Sequence, residues 1–217
     1  MKNIAKTAVL ALSLSMGGAA QALDIAHQQT LGLNLWTSAT GNYQTGAMQY
    51  LLSGSGSFEA FCIELAQDPS ANFSSYQVGS FSASPLLQSQ GSLLQGLFSS
   101  SYAGLNSDLQ RAAFQLAVWE ITHETSAQLD VAYQSGSFYF VDFGNAAPES
   151  ELIAFENLAN SYLQAAASYS GPALYRLDRL THVSAQDLVV ATPVPEPATY
   201  GLMLAGLGLL NLARRRR

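Results

Sequence analysis

SDLQRAAFQLAVWEITHE, residues 107–124, contains neither glycine nor proline and reads as the clearest helix in the chain. Ser107 stands in an N-cap position, where its hydroxyl can accept a hydrogen bond from the first turn. Asp108 then complements the positive N-terminal end of the helix dipole. Leu109, Ala113, Leu116 and Ile121 form an apolar stripe, which Phe114, Val118 and Trp119 widen over most of the circumference. Such a helix must be largely buried, so other elements have to wrap it. Within it Gln115 is a neutral amide among apolar neighbours, and burying it without partners would cost roughly 1–3 kcal/mol.

Working outward from this helix, Leu31 to Trp36 alternates apolar and polar residues as a half-buried strand does, and Tyr43 to Leu52 and Phe58 to Leu65 read as two more. Ser53 to Ser57 alternates serine and glycine and joins them as a turn. Pro85 to Phe98 reads as a helix interrupted at Gly91, and Tyr133 to Phe143 as a strand pair turning at Ser135-Gly136. Pro148 to Ser168 is a second long helix with acids in its first turn. Leu174 to Leu180 and Asp187 to Ala191 are closing strands, and Thr192 to Pro197, with three prolines, is a stiff linker. The order of strands, helices and strands predicts an α+β fold: an antiparallel sandwich or barrel-like sheet with an inserted helical part.

The two ends of the chain read differently from its middle. Lys2 and Lys6 precede an apolar run from Ala8 to Ala20, and Ala20-Gln21-Ala22 has the small-x-small form of a cleavage site. Residues 1–22 are therefore expected to be a signal peptide. Ala198 to Ala213 carries no charge and is followed by Arg214, Arg215, Arg216 and Arg217. It reads as a short hydrophobic anchor helix whose arginines stay on the cytoplasmic side of the inner membrane. Between the ends, residues 23–192 have three arginines, no lysine and fourteen acids, a balance of −11. That excludes nucleic acid as a partner.

One cysteine, Cys62, lies in the exported part, in Phe61-Cys62-Ile63-Glu64-Leu65. Structural cysteines in an oxidising compartment come in pairs, so Cys62 is buried and inert, paired with another molecule, or committed within its own chain. Strand alternation places Phe61, Ile63 and Leu65 on one face and Cys62 and Glu64 on the other.

Phe61-Cys62-Ile63-Glu64 and, 53 residues from cysteine to glutamine, Phe114-Gln115-Leu116-Ala117-Val118-Trp119 resemble the two motifs of bacterial surface thioester domains. The resemblance implies that Cys62 and Gln115 condense with loss of ammonia into an internal thioester. Trp119, one turn beyond Gln115, would shield it with Phe61 and Phe114. A thioester is an acyl donor that a partner's amine can attack, leaving an amide cross-link. Used once per molecule, that is adhesion and not enzymatic turnover.

A second resemblance covers the tail. Val194-Pro195-Glu196-Pro197, the apolar run and the four arginines resemble the PEP-CTERM sorting signal of Gram-negative bacteria, which implies processing by an exosortase-type sorting protease. The domain boundaries expected are thus 1–22, 23–192 and 193–217. The expected location is the cell surface or a biofilm matrix, after transient attachment to the inner membrane. The expected partner is exopolysaccharide or an amine-bearing surface.

Rival readings are a non-covalent matrix protein that binds exopolysaccharide without an intact thioester, and a hydrolase using Glu59, Glu64 or Asp142. Glu120, His123 and Glu124 share a helix end but lack a second cluster to complete a metal site, and no phosphate-binding loop or nucleophile elbow occurs. Neither a cofactor nor a metal is expected.

Overall fold

Strand β1 (Ala22–Thr37) is long enough to serve three neighbours, and this shapes the whole sheet. Its first residues pair with β4 (Ser74–Gly79), its length with β2 (Tyr43–Leu52), and its last residues with β5 (Phe140–Asp142). β3 (Ser57–Cys62), β6 (Tyr175–Thr181) and β7 (Leu188–Pro193) complete an antiparallel sheet in the order β2-β3-β7-β6-β4-β1-β5. Because β1 also bonds to β2, the ladder returns upon itself and leaves few edges unpaired. The computed structural model describes residues 22–54 and 56–195. The signal sequence up to residue 21, Glu196, Pro197 and the tail with its arginines lie outside the described residues. No helix among those described is long and apolar enough to cross a membrane.

The helices come from the two long connections inside the sheet. α1 (Pro85–Ser101) and α2 (Asp108–His123) lie between β4 and β5, and α3 (Glu149–Ser168) between β5 and β6. α2 starts as its sequence predicts, with the Ser107 hydroxyl accepting from Gln110 N at 3.2 Å. Every residue from Ala112 to Ile121 is buried, because α2 packs on β1 and β2 on one side and on α1 and α3 on others. The core is correspondingly aromatic: Phe61, Phe98 and Phe114 pack with centroids 4.8 to 5.7 Å apart beside Tyr102. Offset and edge contacts of this kind add to the burial of their area.

Four sequence expectations are corrected here. Tyr133 to Phe143 is not a hairpin: only Phe140–Asp142 is strand. Its amides are taken by side chains instead, Tyr133 N by Glu156 Oε1, Phe138 N by Glu124 Oε2 and Tyr139 N by Ser38 Oγ. Gly91 does not interrupt α1; the helix runs through it because Phe81 packs where a Cβ would be, 2.6 Å from it. β3 stops at Cys62 and not at Leu65, as the next section explains. Thr192 and Pro193 are not linker: they pair with Arg176 and Tyr175, and Val194 N donates to Leu174 O. Proline suits that last rung because it has no N–H to leave unmade. β1 begins at Ala22, which pairs with Gln77.

β4 has no counterpart among the predicted strands. Its sequence, SSYQVG, has only Tyr76 and Val78 as apolar residues, too short an alternation to stand out among the serines and glycines around it. It is a strand because β1 and β6 flank it.

Candidate functional site

At the end of β3, pairing with β2 stops at Met48↔Ala60, whereas pairing with β7 continues to Cys62↔Leu188. Ile63 N still points to the β7 side, donating to Asp187 O at 2.9 Å. Cys62, one residue earlier, therefore directs its own N–H and C=O to the side that β2 has vacated. The side chain of Gln115 fills that rung. Cys62 N donates to Gln115 Oε1 at 2.8 Å, and Gln115 Nε2 donates to Cys62 O at 2.8 Å. A helix side chain thus completes a sheet ladder, and neither buried partner is left unpaired.

The arrangement is dry: Cys62 and Gln115 are each 1% exposed. The Cys62 thiol donates to Glu64 O at 2.6 Å, which turns the chain out of the strand and ends β3 there. Burial pushes the thiol up to about 12, against the Trp119 indole N–H and the Glu64 contact, which pull it down. The Trp119 indole nitrogen is nonetheless buried without an aligned hydrogen-bond acceptor among the described residues. Its ring sits edge-on to Tyr43 at 6.2 Å and to Phe138 at 6.3 Å.

Phe61 and Phe114 are buried immediately beside the pair in sequence, but their rings pack with Phe98 and Tyr102. Of the three aromatic residues singled out in the sequence, Trp119 is thus the one whose polar atom bears on the sulfur.

Two residues at this site carried no recognisable sequence signal. Gln186 is 1% exposed, and its Nε2 donates to Tyr43 Oη at 3.1 Å and to Glu64 O at 3.2 Å. The Glu64 carbonyl that receives the Cys62 thiol is therefore itself held by Gln186. Gln186 Oε1 is buried without a partner among the described residues. Burial raises the Tyr43 phenol to about 12, so it is neutral at physiological pH when it accepts from Gln186. Gln186 sits in the loop before β7, where nothing local marks it. Only the meeting of β2, β3 and β7 brings it to the sulfur.

The remaining candidates are dispersed. Glu64 Oε1 accepts from Ala66 N, Asp142 Oδ1 accepts from Gly144 N at 2.6 Å, and burial raises Glu59 against the opposing influences of Arg111 and Tyr102. Glu120 Oε1 accepts from Asp130 N at 2.8 Å, and Glu124 accepts from Phe138 N and the Ser137 hydroxyl. Among the described residues no three His, Cys, Asp or Glu side chains are grouped to hold a metal ion.

Residues 193–217 match the PEP-CTERM protein-sorting motif. The chain is therefore an exported protein of Gram-negative type, sorted through the membrane by exosortase-type machinery. In three dimensions it is similar to the N-terminal domain of the Streptococcus pyogenes pilus tip adhesin Cpa, with a TM-score of 0.49 and 17% identity over 78% of this chain and 99% of that one. It is also similar to the N-terminal thioester domain of a surface protein from Clostridium perfringens, with a TM-score of 0.44 and 15% identity over 80% of this chain and 100% of that one. No curated protein sequence matches the chain.

Proposed function

We propose that this exported protein is a covalent surface adhesin whose Cys62 and Gln115 form an internal thioester. The observation that supports it is the pair of reciprocal 2.8 Å hydrogen bonds between the Gln115 amide and the Cys62 backbone, in a site closed to water. In the first step the Cys62 sulfur bonds to Gln115 Cδ, the Cδ–Nε2 bond breaks, and the thiol proton leaves with the nitrogen as ammonia. Oε1 carries the negative charge of the tetrahedral intermediate, and Cys62 N–H, already on that atom, stabilises it.

In the second step the primary amine of a surface partner attacks Cδ. The Cδ–S bond breaks, the sulfur takes up a proton, and an amide joins Gln115 to the partner. Burial slows hydrolysis before that encounter. The Trp119 and Gln186 N–H groups favour the departing thiolate. The acidic surface of residues 23–192 and their lack of lysine leave neighbouring copies no side-chain amine to offer. Membrane attachment through the tail before processing places the domain on the outer side, where such a partner is met.

The test is an intact mass of the exported protein under non-reducing conditions. The expected mass is one ammonia below that of the sequence, converted by methylamine to the amide adduct and restored to the full value in Cys62→Ala. A full mass in the wild type, with Cys62 alkylated only after unfolding, would sink the thioester and leave a non-covalent surface protein.

A further inference from the structure

A shallow groove of about 620 Å³ runs between the outer face of the β1–β2 pair, the start of α2 and the turn after β5. Asn34, Asn42 and Asn145, from three separate segments, line it. Their carboxamides make no hydrogen bond to any described residue, and all three residues are exposed. Glu151, in the first turn of α3, is the single charged residue of the lining. Phe143 supplies a half-buried apolar wall.

Trp36, 43% exposed, is not in the lining itself but stands beside the groove, against the lining residue Gly144. Gly144 has φ +67° and lies so close that a Cβ there would be 2.5 Å from Trp36 Nε1 and 3.1 Å from Asn42 Oδ1. Any larger residue there would have to displace the indole. The backbone therefore accepts a left-handed glycine where it brings an aromatic ring and free amides together.

A carboxamide offers a planar pair of one acceptor and two donors, which matches adjacent hydroxyls that each donate and accept. An indole offers a flat apolar face and one N–H, which matches the C–H face of a sugar ring. Anionic ligands are opposed by Glu151 and by the −11 charge of residues 23–192, and a cation finds only one carboxylate. The geometry points to a binding site for a neutral oligosaccharide, built from Trp36, Asn34, Asn42 and Asn145. The site shares no residue with the Cys62–Gln115 pair and does not depend on the thioester.

Isothermal titration of the full-length protein with cellohexaose, maltohexaose and chitohexaose tests it. At least one hexasaccharide is expected to bind saturably. Trp36→Ala and the double variant Asn34→Ala/Asn145→Ala are each expected to weaken it by about tenfold or more, the loss of roughly 1.4 kcal/mol of binding free energy. The thermal unfolding midpoint of the double asparagine variant should stay at the wild-type value, because those side chains are exposed and carry no internal hydrogen bond. Cys62→Ala should bind as the wild type does. Absence of saturable heat with all three sugars, or binding that survives both groove variants, overturns the site; loss of binding in Cys62→Ala places the sugar elsewhere and overturns it as well.

Discussion

Gln115 does two things at once: it is a polar group buried in an apolar helix, and it is the missing rung of a sheet. The first of these is visible in the sequence, since an amide between Phe114 and Leu116 on a buried helix must find partners. The second is not, because it depends on β2 ending its pairing at Met48↔Ala60 and leaving Cys62 open. The double role has a measurable consequence. In a Cys62→Ala background, where no thioester forms, Gln115→Leu strands the N–H and C=O of residue 62 in a dry site. Urea unfolding should show a loss of about 1–3 kcal/mol or more. Equal stability of the Leu and Gln forms would mean that the rung is filled in some other way.

At the scale of elements, the segment after α2 is governed by carboxylates. Glu120 and Glu124 take up the amides of Asp130 and Phe138, so residues 125–139 lie against the helix as a loop and not as the hairpin their Tyr, Phe and Gly content predicts. The two acids titrate in opposite directions. Burial raises Glu120 to about 7, in spite of the Asp130 amide, with the charges of Glu124 and Asp130 adding to the rise. Burial acts on Glu124 in the same sense, but the amides of Phe138, Ser126 and Thr125 and the Ser137 hydroxyl outweigh it and hold it at about 2. For Glu120 the folded value lies above the ordinary carboxyl value of 4.5, so the fold binds its proton more tightly than the unfolded chain does. Its contribution to stability is complete below that ordinary value and is lost as pH rises through about 7. Urea midpoints measured at about pH 5 and about pH 8 should therefore fall in the wild type and fall less in Glu120→Gln. Parallel falls would remove Glu120 as the cause.

For the whole molecule, the charge of residues 23–192 dominates. Fourteen acids and three arginines on one domain repel one another, and the ion pairs are few: Arg111–Asp108 at 3.4 Å, Arg176–Asp178 at 2.9 Å and Arg179–Asp187 at 2.9 Å among the described residues. Partly exposed pairs of this kind each contribute about 0–1 kcal/mol, too little to offset the general repulsion. Salt should consequently stabilise the protein. Raising sodium chloride from about 0.05 to 0.5 M shortens the screening length several-fold and is expected to raise the thermal midpoint. A midpoint that falls with salt would show that the attractive pairs outweigh the repulsion.

The sequence alone determined what local chemistry can write. Ser107 and Asp108 mark the start of α2, and the largely apolar run from Ala112 to Ile121, broken only by Gln115 and Glu120, announces its burial. The proline-glutamate-proline signal with its basic tail marks export and sorting, because that signal is read as a linear segment. By their own chemistry Cys62 and Gln115 stood out singly, one as a cysteine without a mate and the other as a buried amide, and only the resemblance of their two motifs paired them. Tertiary structure alone decided that they face each other across a vacated rung, that Gln186 and Tyr43 join them, and that SSYQVG is a strand. The physical reason is that each of these rests on groups far apart in the chain: 53 residues separate Cys62 from Gln115 and 143 separate Tyr43 from Gln186. A buried donor takes whichever acceptor the closed sheet brings to it, and no local pattern records which one that will be.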